Sequence, residues 1–266
     1  MILITYKDIE KTLIDAGLDK GDVVLVHSSL SAPGYIIGGV HSVVEAFMNI
    51  LGVEGTLVVP TLSQKDFKNS YKNWYMDKPS DTGLFSEYVR KFPGALRSNQ
   101  ETHSVAAIGK KAYEITSGHK DFGPRYGIFG DFAFSWSSPW QKMYDMNAKV
   151  LFFGVTMKYN TYKHFVEYRI VEDRVSKIEG IELKNQKLSR IKDFAFFQNN
   201  DSRLWPFHDA EKMQIELDKR GLIRKASLGK SRVFCLDIKN MVDSITEILS
   251  SDLDKWYDQD MIEWLS

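Results

Sequence analysis

Two periods of apolar residues alternate along this chain, and the first is helical. Thr5 with Asp8 three residues later forms a capping pair; Ile9, Leu13 and Ile14 follow at helical spacing, and Gly17 and Gly21 close the pattern. "DVVLVHSS" (22–29) is a continuous apolar run ending in polar residues, the pattern of a strand buried on both faces. "GVHSVVEAFMNILG" (39–52) sets Val43, Phe47, Ile50 and Leu51 on one helix face, and "GTLVVPT" (55–61) is a second buried strand. Strand, loop, helix and strand within about forty residues make a βαβ unit, which implies parallel pairing. "DTGLFSEYVRKF" (81–92) reads as a helix ending before Pro93, and "HSVAAIG" (103–109) and "KVLFFGV" (149–155) read as strands.

From residue 178 the pattern changes. "GIELKNQKL" (180–188) reads as an edge strand, "DAEKMQIELDKRG" (209–221) as a short helix, "SRVFCLDI" (231–238) as a strand and "NMVDSITEILSSDL" (240–253) as a closing helix. The expected fold is α/β: a mostly parallel central sheet flanked by helices over residues 1–175, with a C-terminal α+β elaboration over 176–266, all in one domain (1–266). No compositional shift marks a linker, and no repeat or low-complexity segment interrupts the chain.

Composition narrows the class. The 266 residues, 43% of them hydrophobic, suffice for a substantial core. Thirty-five basic and 35 acidic residues cancel, so net charge points to neither nucleic acid nor an anionic membrane. One cysteine, Cys235, excludes an intrachain disulfide framework and a cysteine zinc cluster, and fits a reducing cytoplasm; it reads as a small hydrophobe in a strand. No apolar run reaches the roughly 18 residues of a membrane span, and "MILITYKDIEKT" turns charged too early for a secretory signal, so the expected location is cytoplasmic.

Four kinds of stretch carry candidate chemistry. "VHSSLSAPGYIIGGVHS" (26–42) places Ser28, Ser29, Gly38, Gly39 and Ser42 between a strand end and a helix start, where exposed N–H groups and the helix dipole suit phosphate. It matches neither the Rossmann nor the P-loop spacing, and a tight βα turn is the alternative. "NQETHSVAAIG" (99–109) is a polar entrance to a strand that either pairs with an extended ligand arm or is merely structural. In "NTYKHFVEY" (160–168), Asn160 is a good N-cap, and His164 and Glu167 share a helix face. A carboxylate there orients the imidazole and raises its pKa, as a general base requires; a surface ion pair and a two-ligand metal site are the other readings. The aromatic loops "DFKNSYKNWYMDK" (66–78) and "GDFAFSWSSPW" (130–140) hold Phe67, Tyr71, Trp74, Tyr75, Phe132, Phe134, Trp136 and Trp140. Such rings form a platform for a sugar, anchor their own loops, or make a homodimer contact.

The order of these stretches resembles the aminoglycoside 3-N-acetyltransferase family, also called the antibiotic N-acetyltransferase fold. "VHSSLSAPGYIIGGVHSVVEAFMNILGVEGTLVVPTLS", "DTGLFSEYVRKFPGALRSNQETHSVAAIG" and "KVLFFGVTMKYNTYKHFVEYR" resemble three successive family blocks, the last carrying N-T-x-x-H-x-x-E. The resemblance implies acetyl transfer from acetyl-CoA to a primary amine of an amino sugar, with no metal and no acyl-enzyme. It implies His164 as general base with Glu167 as its partner. It further implies Ser28, Ser29, Gly38, Gly39 and Ser42 near the coenzyme A phosphates; His103, Ser104 and Val105 along the pantetheine arm; and Thr61, Ser63 and Trp74 at the acceptor cleft, to which the C-terminal part contributes. Carboxylates near the amine are expected as well, for which Asp66, Asp209 and Glu211 are the candidates. The chain departs from the family in carrying Gln100-Glu101 where H-P is common, and in lacking the acidic balance of members that act on polycationic drugs. Three alternatives stand beside this reading: an acceptor that is a nucleotide-linked or glycan-biosynthetic amino sugar, a non-catalytic coenzyme- or sugar-binding protein, and a metal hydrolase using His164, Glu167 and another histidine.

Overall fold

The computed structural model describes residues 2–63, 72–194, 205 and 208–266. A short strand β1 (Leu3–Ile4) leads into α1 (Tyr6–Asp15). Helix α1 starts at a closed capping box: Asp8 N–H donates to Thr5 Oγ1, and Thr5 N–H donates to Asp8 Oδ2 at 2.8 Å. Strand β2 (Val23–Ser28) enters a loop containing β3 (Tyr35–Ile36), which pairs with β1 as a small separate parallel ladder. The chain continues through α2 (Gly39–Leu51), β4 (Thr56–Pro60), α3 (Leu84–Arg90), β5 (Leu96–Arg97) and β6 (Val105–Gly109). After α4 (Ala112–Thr116) and α5 (Pro139–Asp145) come β7 (Lys149–Phe153), α6 (Tyr162–Ser176) and α7 (Ile181–Phe194). Helix α8 (Ala210–Lys219), the hairpin β8 (Arg224–Leu228) and β9 (Ser231–Asp237), and α9 (Ile238–Ser251) follow. Two short helices, α10 (Leu253–Trp256) and α11 (Gln259–Leu265), end the chain. Among the described residues no helix is long and apolar enough to cross a membrane.

Seven strands form the main sheet in the order β5-β6-β4-β2-β7-β9-β8. It is mixed, which corrects the expectation of a mostly parallel sheet: of its neighbouring pairs only β4–β2 and β2–β7 are parallel, and β6 and β9 run antiparallel to the strands on both sides of them. The βαβ unit β2-α2-β4 is parallel as its crossover requires. The outer strands come from the two pairs β5–β6 and β8–β9, and a chain that doubles straight back on itself reverses direction. A continuous apolar run reports burial on both faces but not direction, so it misled here. The β8–β9 hairpin also extends the main sheet rather than forming a sheet of its own.

Alternate residues of the central strands feed opposite layers. Val24, Val26, Leu57, Val59, Leu151 and Phe153 pack toward α1, α2 and α3 with Phe47, Leu51 and Phe85. Val23, Leu25, Val58, Val150, Phe152, Phe234 and Leu236 pack toward α4, α5, α6, α8 and α9. Each such side chain contributes about 1.5–3 kcal/mol by leaving water. Cys235 is buried in β9 as a strand hydrophobe.

The predicted edge strand at 180–188 is helix α7. Ile181 and Leu183 suggested a period of two, yet both are exposed; the buried pair is Leu188 and Ile191, three apart, in a stretch of strong helix formers. Short elements without a pattern of their own, β1, β3, β5, α4 and α5, escaped the reading.

For function, the edge of the sheet matters most. The carboxyl ends of β2, β4 and β7 lie together, with Ser28 opposite Phe153, and antiparallel β6 starts at the same edge with Val105 opposite Pro60. Ligands of open α/β sheets bind at this edge.

Candidate active site

After β7, the chain makes one 3-10 turn at Met157–Tyr159 and enters α6. The helix boundary falls at Thr161, whose side chain makes no capping bond; Asn160 Oδ1 accepts from Tyr162 N–H at 3.1 Å and does the capping from one residue earlier. His164 therefore sits in the first turn, at the functional edge of the sheet. Its Nδ1 lies 2.7 Å from Glu167 Oε2, and the two side chains are 19% and 0% exposed, which rules out a solvated surface ion pair.

Glu167 is enclosed. Trp205 Nε1 donates to its Oε2 at 2.9 Å, and His208 Nδ1 lies 3.5 Å from its Oε1. Burial pushes the Glu167 carboxyl up, but the His164 charge and hydrogen bond, with those of His208, outweigh it and hold the group down at about 2. Burial pushes the His164 imidazole below its ordinary range, and the Glu167 charge and hydrogen bond pull it back only in part. The carboxylate thus raises the imidazole as expected, while burial sets the net direction. The outcome is an ionised carboxylate orienting a neutral imidazole, with Nδ1–H aimed at Glu167 and Nε2 as the basic nitrogen.

Aromatic rings wall His164. The Phe129 ring is centred 4.7 Å from His164 and 4.6 Å from His103, and the two imidazoles stand edge to face at 6.1 Å. His103 is buried, its pKa pushed well down by burial and then by His164. The Gln100 carboxamide oxygen receives the N–H groups of Thr102 and His103, its nitrogen reaches Thr102 Oγ1 at 3.1 Å, and Thr102 Oγ1 lies 3.0 Å from His103 Nδ1. Gln100 is the side chain that shapes this turn.

The loop between β2 and α2 is built differently. Gly38, the N-cap of α2, has φ of 80°, and no side chain caps the helix. A Cβ at Gly38 would overlap the Ser42 hydroxyl, so glycine there admits both the left-handed turn and the serine. Gly39, at φ of 61°, faces open space. Ser29 N–H donates to the Phe153 carbonyl at 2.9 Å, tying the loop to the strand that leads to His164. Uncapped first-turn amides beside Ser42 suit an anionic group.

These two features share the carboxyl edge of one sheet, and comparison with known proteins shows the family of the chain. The family model for aminoglycoside 3-N-acetyltransferase matches residues 25–250. The chain belongs to that family. Among its relatives is the SPbeta prophage-derived aminoglycoside N(3')-acetyltransferase-like protein YokD of Bacillus subtilis, 31% identical over 193 residues, or 64% of this chain and 67% of the relative. Aminoglycoside N(3)-acetyltransferase IX of Micromonospora chalcea is 31% identical over 134 residues, 44% of this chain and 48% of the relative. The chain thus spans about half to two thirds of these relatives. The solved structure of AAC-IIIb as a binary complex with CoASH superposes with a TM-score of 0.69 at 17% identity, covering 96% of this chain and 98% of that one, a likeness of fold.

The other candidate residues make contacts within the fold. Thr61 Oγ1 and Ser104 Oγ lie 3.0 Å apart, and Thr61 N–H donates to the Ser104 carbonyl, clasping the end of β4 to the start of β6. Arg97 donates to the carbonyls of Thr61, Met76 and Lys78 and lies 5.5 Å from the Trp74 ring, so Trp74 anchors its loop through this cation. Ser63 Oγ donates to the Pro79 carbonyl at 3.2 Å. Val105 exchanges its backbone N–H and carbonyl with Ser98, and the His103 carbonyl accepts from Trp140 Nε1, which commits the backbone proposed to run along the pantetheine arm. Asp209 is the N-cap of α8, its Oδ1 accepting from Glu211 and Lys212 N–H. Glu211 Oε1 accepts from Thr156 Oγ1 at 3.1 Å, linking α8 to the turn before His164. Asp66, with Phe67 and Tyr71, lies outside the described residues. Of the remaining rings, Phe134 and Trp140 are core, and the Trp136 ring lies 4.1 Å from the buried Arg125 guanidinium. Among the described residues no group of three or more His, Cys, Asp and Glu side chains is arranged to hold a metal ion. Phe129, Trp205 and His208 were not foreseen. The one local hint, an aromatic and a histidine just before the Asp209 cap, has no diagnostic spacing.

Proposed function

We propose that the protein transfers the acetyl group of acetyl-CoA to a primary amine of an amino sugar, with His164 as general base. The observation that supports this best is the His164 imidazole, held neutral in the first turn of α6 with Nδ1 fixed on a buried, ionised Glu167. An ammonium has no lone pair, so a proton must leave before nitrogen can attack. His164 Nε2 takes that proton; the amine nitrogen bonds to the thioester carbonyl carbon as the C–S bond breaks, and the departing sulfur is protonated to the thiol. Acetyl-CoA supplies the activated acyl group. Ser29, Gly38, Gly39 and Ser42 hold its anionic part beside the uncapped start of α2, a role in keeping with the CoASH complex of the neighbour AAC-IIIb. Such chemistry belongs in the cytoplasm.

The relatives' names point to aminoglycosides as acceptors, while the zero net charge favours less cationic amino sugars, such as nucleotide-linked ones, as a second reading. Thiol release from acetyl-CoA, measured with an aminoglycoside panel and with amino-sugar nucleotides, separates the two. Coenzyme binding by calorimetry without amine-dependent thiol release from any acceptor would instead reveal a non-catalytic binding protein.

A further inference from the structure

We propose that His208 is a positioning residue for the base: its imidazole braces the far oxygen of Glu167 and shares that carboxylate's charge with His164. This rests on the reading of His164 as general base. The two Glu167 oxygens are served unequally: Oε2 accepts from His164 Nδ1 and Trp205 Nε1, whereas Oε1 accepts no hydrogen bond among the described residues and lies 3.5 Å from His208 Nδ1. Glu167 Oε1 and His208 Nδ1 face each other at ion-pair distance, neither has a hydrogen-bond partner among the described residues, and the two side chains are 0% and 1% exposed. A buried carboxylate oxygen and a buried ring nitrogen without partners are each unfavourable, and facing one another relieves both. The position of His208 is fixed from the next residue, since Asp209 caps α8. Neither Trp205 nor a backbone amide can take its place in charge, because only the imidazole ring can carry a proton there.

The consequence is a change in how hard Glu167 pulls on His164. Glu167 and Lys163 on α6, His103 across the aromatic wall, and Asp209 and Lys212 at the start of α8 surround the two rings, with Tyr257 after α10 within the field of Glu167. His208 pushes the His164 imidazole down while Glu167 pulls it up, and both rings act on the same carboxylate. Without the His208 ring, Glu167 acts on His164 alone, and His164 protonates at higher pH.

The test uses the full chain with His208→Leu, which removes the donor, and His208→Asn, which keeps an N–H near the position of Nδ1 but carries no charge. Thermal melts confirm folding. Imidazole NMR with labelled histidine follows His164, and steady-state kinetics follow turnover. The expected result is a His164 titration and an acid limb of kcat/KM that both move to higher pH in the two variants. His208→Leu is expected to lower kcat by about tenfold with the KM for acetyl-CoA little changed, and His208→Asn to recover most of kcat, the difference a positioned donor makes. An unchanged His164 titration in the folded variants would overturn the proposal. The NMR arm needs no turnover, so a wild-type protein that acetylates nothing would sink the parent reading and still leave His208 decided. If His208→Leu does not fold, the near-isosteric Asn variant carries the titration.

Discussion

The cluster around His164 and the loop between β2 and α2 share one edge of the sheet but are made in opposite ways. Around His164, side chains from α6, from the stretch before α8 and from the 100–103 and 129–134 segments converge, and the carboxylate at the centre is fully enclosed. The loop spends few side chains: a left-handed glycine, a serine and an uncapped helix start leave backbone amides toward the solvent. Proton transfer demands a pKa and an orientation, which only burial and fixed partners set; anion binding demands donors in reach of a ligand that arrives from water. The first kind of site is fragile to substitution in kcat, the second in coenzyme affinity.

The largest break in this comparison is His164→Ala. Loss of a general base lowers turnover by roughly 10²–10⁴-fold, with coenzyme affinity near that of wild type. Steady-state rates and calorimetry together check it, and near-normal turnover would remove His164 from the mechanism.

Glu167→Gln comes next. It keeps the shape but replaces a charged acceptor, a change worth about 1.5–3 kcal/mol, or roughly 10- to 150-fold in kcat. It also changes acid stability, and the sign is definite. The Glu167 carboxyl is held at about 2 in the folded chain against 4.5 unfolded, so its contribution is present above the unfolded value and is lost as pH falls toward the folded one. His164, lowered in the folded state, acts in the same direction below its unfolded value of 6.5. Melting temperatures of wild type should fall from pH 6.5 toward pH 3, and the Gln variant should show a shallower fall. Parallel curves for the two proteins would mean that Glu167 is not the ionised partner.

The same contrast explains what the sequence disclosed. His164 and Glu167 are three residues apart on one helix, so local periodicity brought them together, and the βα loop announced itself through paired glycines after a buried strand. Trp205 and His208 lie about forty residues downstream, and only tertiary packing sets them against Glu167. Thr61 and Ser104 were legible as polar residues at strand ends, yet their hydroxyls turn inward to each other, which pairing between β4 and β6 decides. Strand direction was hidden for a related reason: apolar alternation encodes which face is buried, and the antiparallel flanks arise from chain reversals before β6 and β9.

The finest test lies within the loop. Gly38 and Gly39 both hold positive φ, yet a side chain at Gly38 meets the Ser42 hydroxyl, whereas one at Gly39 meets nothing. Left-handed backbone costs an alanine about 1–2 kcal/mol at either position, and at Gly38 the clash adds to it by displacing Ser42 or the helix start. Gly38→Ala should therefore weaken coenzyme A binding by about tenfold, and Gly39→Ala by less, with His164 chemistry at saturating coenzyme close to wild type in both. Calorimetric titration against kcat at saturation reads the two quantities apart. Equal loss of affinity in the two variants would assign the effect to backbone strain alone and take Ser42 out of the anion site.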